Sequence, residues 1–361
     1  MLRVKRVKNS IFNVIFVIVV VLLVNGLIAV NYSESTTPLL KSAIESNIGG
    51  RRQSNEFVVK EESKLVFTKP NRQIKRNENE NRNTPGVTLV SAYYDIGRNK
   101  YNGLNSYIRW AENSLRFRSP LVFFTNRKEI FKPIRDSYNL TNMTVYVELP
   151  FQDLDTVKTY LPLIKKKFPL DVERQINSAY LYALWYSKAE LVRRAIELNP
   201  FHTKKYLWID IGCIRSPLQS DEFPSKDRIE FLGYKNTVTM SSVGGYGEYC
   251  QNINMVHGKA RTKVPPKLEL PIITDVTQLN EYVAHYSMAG ALFGGDFEVL
   301  SRFCELYFKE IGHYLTAPKD RYFMADQFLF YAMACVYNDI VEMIKPDNGN
   351  AWFYLVDYLR S

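Results

Sequence analysis

The sequence predicts an α/β protein: a mainly parallel central sheet covered by helices, preceded by a single transmembrane helix and a stem. Three observations carry this. An apolar run fills residues 11–30, with Arg3, Lys5, Arg6 and Lys8 just before it. The stretch from there to residue 86 is polar and has only Tyr32, Phe57 and Phe67 as aromatics. From residue 87 onward, short β-branched and aromatic runs alternate with segments of helical spacing, as crossover helices between parallel strands require.

Residues 1–10 read as a cytosolic tail and 11–30 as a signal-anchor. About 20 residues at ~1.5 Å rise span a ~30 Å hydrocarbon core. The next basic residue after the run is Lys41, so the positive-inside rule sends everything beyond it across the membrane. A cleaved signal peptide usually has an apolar region of only ~7–15 residues. Val24-Asn25-Gly26 is nonetheless a passable cleavage site, and both readings put the remainder on the same side. The expectation is a single-pass type II membrane protein facing the ER or Golgi lumen, since a short run suits the thinner early membranes. Residues 31–86 have too little apolar surface to offset the entropy of ordering and read as a flexible stem. Residues 87–361 form the lumenal domain. The sequons Asn139-Leu140-Thr141 and Asn142-Met143-Thr144 make Asn139 and Asn142 candidates for N-glycans. A lumenal location permits disulfides. Cys213 with Cys250 is the favoured bridge, whereas Cys304 and Cys335 fall on apolar helical faces as buried thiols.

The composition, 46% hydrophobic and 23% charged, is that of an ordinary globular chain. The net charge is +10, but residues 1–86 hold +7 of it. A nucleic-acid surface needs its basic residues on the folded domain, so no nucleic-acid partner is expected.

Element by element, residues 87–93 read as a buried strand, 101–116 as a helix, 121–125 as a strand, 128–137 as a helix and 144–149 as a third strand. Residues 171–198 keep apolar spacing of three and four and stop at Asn199-Pro200, where proline ends a helix. Residues 206–211 form a fourth strand. Residues 216–278 look rich in loops. Residues 287–293 form another strand, followed by helices over 297–312 and 325–337.

Ligands of open α/β sheets bind at the carboxyl ends of strands. The first strand leaves through Tyr93-Tyr94-Asp95-Ile96-Gly97-Arg98, where Asp95 and Arg98 can hold a ribose and a diphosphate, or simply pair with each other. The fourth strand, Leu207-Trp208-Ile209-Asp210-Ile211-Gly212, delivers one carboxylate to its open end. That is a common way to present a ligand for ribose or metal, and Asp210 is the strongest single candidate. Small residues in Ala289-Gly290-Ala291-Leu292-Phe293-Gly294-Gly295 fit either a ligand against the backbone or tight strand packing. Asp326-Gln327 opens a helix; the macrodipole alone favours an acid there, and a pocket rim would use it on an acceptor hydroxyl. Lys188 sits mid-helix, where it can reach a diphosphate or snorkel to the surface. No H-E-x-x-H, C-x-x-C, G-x-S-x-G or Walker sequence is present.

Taken together, Tyr-Tyr-Asp-Ile-Gly-Arg (93–98), Tyr-Ser-Lys (186–188), Asn-Pro-Phe (199–201), Trp-Ile-Asp-Ile-Gly (208–212), the 289–295 segment and Asp-Gln (326–327) resemble the HtrL/YibB-type proteins, which are similar to GT-A-fold glycosyltransferases. The resemblance covers roughly residues 87–345. It implies a nucleotide-sugar site made of Tyr93, Asp95, Arg98, Lys188, Asp210, Gly212, Gly290, Gly294, Gly295 and Gln327, with Asp326 as the catalytic group toward the acceptor. It also implies Mn²⁺ on Asp210, although Gly212 stands where the second acid of an Asp-x-Asp pattern belongs; Asp347 is a substitute by position only. The expected activity is transfer of a sugar from a nucleotide-diphosphate donor to a hydroxyl of a glycan, protein or lipid. The alternative is a non-catalytic glycan- or partner-binding protein on the same fold.

Overall fold

A computed structural model of the chain describes residues 86–97, 104–244, 255–257, 275–278, 286–346 and 352–360, all of which belong to one compact unit. The expected tail, anchor and nearly all of the stem lie outside these residues. Among the described residues no helix is long and apolar enough to cross a membrane.

The elements in chain order are β1 (Thr88–Tyr93), α1 (Leu104–Leu115), β2 (Leu121–Thr125), α2 (Lys128–Ser137), β3 (Thr144–Val147), α3 (Asp155–Lys167), α4 (Ala179–Tyr186), α5 (Lys188–Leu198), β4 (Lys205–Ile209), β5 (Val238–Gly244), β6 (Met255–His257), β7 (Tyr286–Asp296), α6 (Phe297–Thr316), α7 (Asp326–Val336), β8 (Val341–Lys345) and α8 (Tyr354–Arg360). The strands form one sheet of order β3-β2-β1-β4-β7-β5-β8-β6. Neighbours pair in parallel except at β7, which runs against both β4 and β5. The sheet is therefore mainly parallel, as the alternation of elements predicts, with one reversed strand that the sequence does not announce.

Both faces are covered. Val90, Val122, Phe124, Tyr206 and Trp208 point into a core shared with α3 to α7. The alternate residues Leu89, Phe123, Leu207 and Ile209 point into a second core with α1, α2 and α8. Strands buried on both faces become continuous apolar runs, which is why β1, β2 and β4 are easy to read.

Four expectations are corrected. The single helix over 171–198 is two helices. Ser178 caps α4 through its side chain, which accepts from Leu181 N, and residues 171–177 are a turn anchored by buried Asp171. At Ser187 the hydroxyl donates to Ala183 O, and a new helix starts at Lys188. The region 216–278 is not all loop: β5 and β6 lie within it, and β8 and α8 follow further on. Cys213 is a free thiol buried beneath the β4 exit, so the bridge to Cys250 does not form. Cys335 is disulfide-bonded, whereas Cys304 is the expected buried thiol.

Arg135 pins the far end of the sheet. It is fully buried on α2 and donates to Leu115 O, Phe117 O, Ser119 O and Met143 O. Arg135→Met leaves these acceptors without a partner, and buried orphan acceptors cost about 1–3 kcal/mol each. The expected loss is about 3 kcal/mol or more, read as a lower urea midpoint. Iodoacetamide should leave Cys213 and Cys304 unlabelled in the native protein and label both in denaturant, because burial raises both thiols, Cys304 to about 12.

Candidate functional site

The strand order 3-2-1-4 reverses direction of winding between β1 and β4, and a crevice at such a point, outside the carboxyl ends of the strands, is where open α/β sheets bind ligands. A cleft of about 470 Å³ lies there, within the usual range of ligand pockets. Tyr93 and Tyr94 reach it from β1, and Asp210 and Gly212 from β4. Gly290 and Ala291 enter from β7, Lys188 from α5, and Asp326 and Gln327 from α7.

The reversed strand is shaped for this position. Asp210 N donates to Ala291 O, continuing the β4–β7 ladder one step past Ile209. On its other side β7 carries extra residues: Met240 and Ser242 of β5, two apart, pair with Phe293 and Met288, five apart. Irregularities of this kind re-aim backbone groups and are common beside active sites. Here the displaced stretch turns the Gly290 carbonyl toward Lys188, whose Nζ donates to it at 2.9 Å.

The floor of the cleft is a charged cluster. Lys188 Nζ lies 3.0 Å from Asp210 Oδ2 and 2.8 Å from Asp326 Oδ2. The contact to Asp326 is an ion pair without the alignment of a hydrogen bond. The side chains of Lys188 and Asp326 are only 5% and 7% exposed, whereas Asp210 is 32% exposed. Asp210 Oδ1 accepts from Trp208 Nε1 at 2.7 Å, so both carboxylate oxygens are anchored while lone pairs still face the cleft. Burial works against the Lys188 ammonium, but the two carboxylates outweigh it and its pKa is raised. Burial pushes Asp210 above the usual carboxylate value; Lys188 opposes this and the Asp326 charge adds to it.

Two glycines are explained by their neighbours. A Cβ at Gly290 would stand 2.8 Å from Asp326 Oδ2, so the α7 carboxylate packs directly on this backbone. A Cβ at Gly212 would stand 3.2 Å from the Trp110 ring.

Other expected site residues lie elsewhere. Asp95 is exposed, outside the cleft lining, and pairs with Arg127 at 2.8 Å. Gly294 and Gly295 pair with Leu207 and Tyr206, toward the opposite end of β4. A Cβ at Gly294 would meet Tyr206 O at 2.7 Å, so tight strand packing accounts for that position. Arg98 and Asp347 lie outside the described residues. Asp326 is on the cleft floor, not at the rim. Lys188 opens a helix and is buried, so it neither sits mid-helix nor snorkels.

Sequence reasoning missed several lining residues. Arg215, three residues past Gly212, holds its guanidinium 5.0 Å from the Trp110 ring and 5.5 Å from the Phe353 ring. A basic residue just beyond a strand exit was the available signal. Trp185 and Glu173 line the opposite wall. Asp171 accepts from Met324 N and from the Tyr182 hydroxyl, which ties the segment leading into Asp326 to α4.

The residues do not fit a divalent cation of the Mn²⁺ type. Such ions need a shell of several oxygens, and among the described residues no group of three or more His, Cys, Asp or Glu could form one. The position of a second acid is Gly212, backed by Trp110. Lys188 Nζ already stands between the two carboxylates. A dication ~4 Å from that ammonium would meet a repulsion of roughly 8 kcal/mol at an effective dielectric of about 20.

No protein-family model matches the chain, and no curated protein matches it in sequence. Two solved structures superpose on it loosely. Mouse xyloside xylosyltransferase 1 in its apo form is 12% identical, with a TM-score of 0.36 over 71% of this chain and 84% of that one. The 4-diphosphocytidyl-2C-methyl-D-erythritol synthase of Anaerococcus prevotii is 10% identical, with a TM-score of 0.35 over 76% and 95%. The HtrL/YibB likeness therefore remains one of motifs.

Two outcomes follow. Gly290→Ala should force Asp326 off its seat and destabilise the domain by about 1–3 kcal/mol, the usual cost of overpacking, read by urea denaturation. A lysine whose folded pKa is raised contributes stability that is complete below its unfolded value of 10.5 and is lost as pH climbs through the folded value. On the alkaline side of neutrality, the stability gap between wild type and Lys188→Met should stay level up to pH 10.5 and narrow above it, as followed by melting temperature.

Proposed function

We propose that the protein is a glycosyltransferase of GT-A-like fold, moving a sugar from a nucleotide-diphosphate donor to a hydroxyl of a glycan, protein or lipid. The observation that carries this reading is the cleft at the β1/β4 reversal, with two carboxylates on its floor and a guanidinium bracketed by aromatic rings at its edge. Carboxylates accept hydrogen bonds from sugar hydroxyls, and arginine pairs in bidentate fashion with phosphate oxygens. The motif resemblance points the same way.

The roles follow from exposure. Asp210 presents its carboxylate to the cleft and would accept from hydroxyls of the donor. Arg215 would hold the diphosphate, and the motif resemblance adds Arg98. Tyr93 and Trp110 offer flat walls for the nucleoside. Gly290 lets the donor sugar approach the β7 backbone, and Gln327 adds a polar group on the wall formed by α7. In the transfer, the bond from the anomeric carbon to the phosphate oxygen breaks, the acceptor oxygen bonds to that carbon, and the acceptor proton passes to a base. Asp326, the expected base, is nearly closed off by Lys188. Asp210 is the more accessible of the two carboxylates.

The sequestration of Asp326 also favours the second reading, a non-catalytic glycan- or partner-binding protein on this fold. Turnover of a nucleotide sugar separates the two. The type II orientation, the anchor at 11–30, the ER or Golgi location and the glycans at Asn139 and Asn142 belong to the same proposal. Both asparagines are exposed in the turn before β3.

The test is thermal stability of the full-length protein with a panel of nucleoside diphosphates and their sugars. A ligand at ~100 times its Kd adds about 2.7 kcal/mol, roughly 5–10 °C for a domain of this size. A shift with one base, reduced by Asp210→Ala, is the expected result. Absence of a shift with every donor would remove the donor site.

A further inference from the structure

We infer that the cleft takes its diphosphate-bearing ligand without a divalent cation, because the Lys188 ammonium permanently fills the position between the two carboxylates and Arg215 supplies the counter-charge. This rests on the nucleotide-sugar reading for the identity of the ligand, but not for the statement about metal.

The geometry carries it. Nζ of Lys188 has three protons and three oxygen neighbours: Asp210 Oδ2 at 3.0 Å, Asp326 Oδ2 at 2.8 Å and Gly290 O at 2.9 Å. These spacings suit an ammonium and are wider than the ~2.1 Å that oxygen ligands take around a small dication. The cluster is built in from all sides, since Lys188 opens α5, Asp210 directly follows β4, Gly290 lies in the displaced stretch of β7 and Asp326 opens α7. With Nζ hydrogen-bonded to Asp210 Oδ2 and Gly290 O and ion-paired with Asp326 Oδ2, Lys188 is committed to protein oxygens, contrary to its expected role on the diphosphate. Arg215 also lines the cleft, its guanidinium against the Trp110 and Phe353 rings, and the planar fork of a guanidinium suits phosphate oxygens.

The experiment uses full-length protein and Mn²⁺ alone as the first probe, with free Mn²⁺ followed by electron paramagnetic resonance. Wild type should show no saturable binding that Asp210→Asn removes. Saturable binding abolished by Asp210→Asn overturns the inference, whatever the protein's activity. The second probe is the panel of nucleoside diphosphates, in EDTA and in Mn²⁺. The melting shift should be the same in both, and Arg215→Ala should weaken binding by ~10-fold or more, the loss of a charge-assisted hydrogen bond. A shift seen only with Mn²⁺ overturns the inference. No shift in either condition removes the nucleotide reading and leaves the Mn²⁺ titration to judge the metal.

Discussion

Among the described residues, the ammonium of Lys188 brings four elements to one point. It reaches from the first turn of α5 to the end of β4, the backbone of β7 and the first turn of α7. Two carboxylates this close in a buried site cannot both stay ionised without a cation between them. The placement of β7 against β4, the glycine at 290 and the entry angle of α7 all have to agree with that requirement. Trp208 reinforces it from the sheet side by donating to Asp210, and Asp171, in the turn before α4, reinforces it by accepting from Met324 N.

Much of this was legible in the sequence where the local signal was strong. β2 and α2 have the expected limits, and Asp210 stands out because four apolar residues deliver it to a strand end. What was not legible has physical reasons. The β5 sequence Val-Thr-Met-Ser-Ser-Val-Gly looks like a loop, yet its serines are buried in the middle of the sheet, where backbone pairing outweighs their loop preference. The helix α3 carries Pro162 within it, which a pattern reading takes as a stop. The junction at Ser187 keeps a helical backbone, with the hydroxyl bonding back to Ala183 O, and no spacing rule reveals it. It places Lys188 in the first turn of α5.

The glycine-rich strand shows the same limit. Gly290, Gly294 and Gly295 look equivalent in sequence, but the antiparallel direction of β7 sends them to opposite ends of β4. Only Gly290 meets the cleft, and it is small because Asp326 lies on it. A parallel strand at this position would have put the later glycines at the carboxyl edge. Direction, which composition does not encode, decided which glycine matters.

The charge of the cleft constrains the pose of any ligand. Among the described residues, Glu173, Asp210 and Asp326 line it against Lys188 and Arg215. With Lys188 committed to two of the acids, the interior carries net negative charge and Arg215 is at its edge. A buried ion cluster of this kind is weak evidence for stability, because well-packed apolar residues often replace one at no cost. A negatively charged interior also repels phosphate. An anionic ligand must then enter with its phosphates toward Arg215 and its hydroxyls toward Asp210. For the proposed nucleotide sugar, this pose would put the leaving group near Arg215 and the sugar near Asp210, the more exposed of the two floor carboxylates.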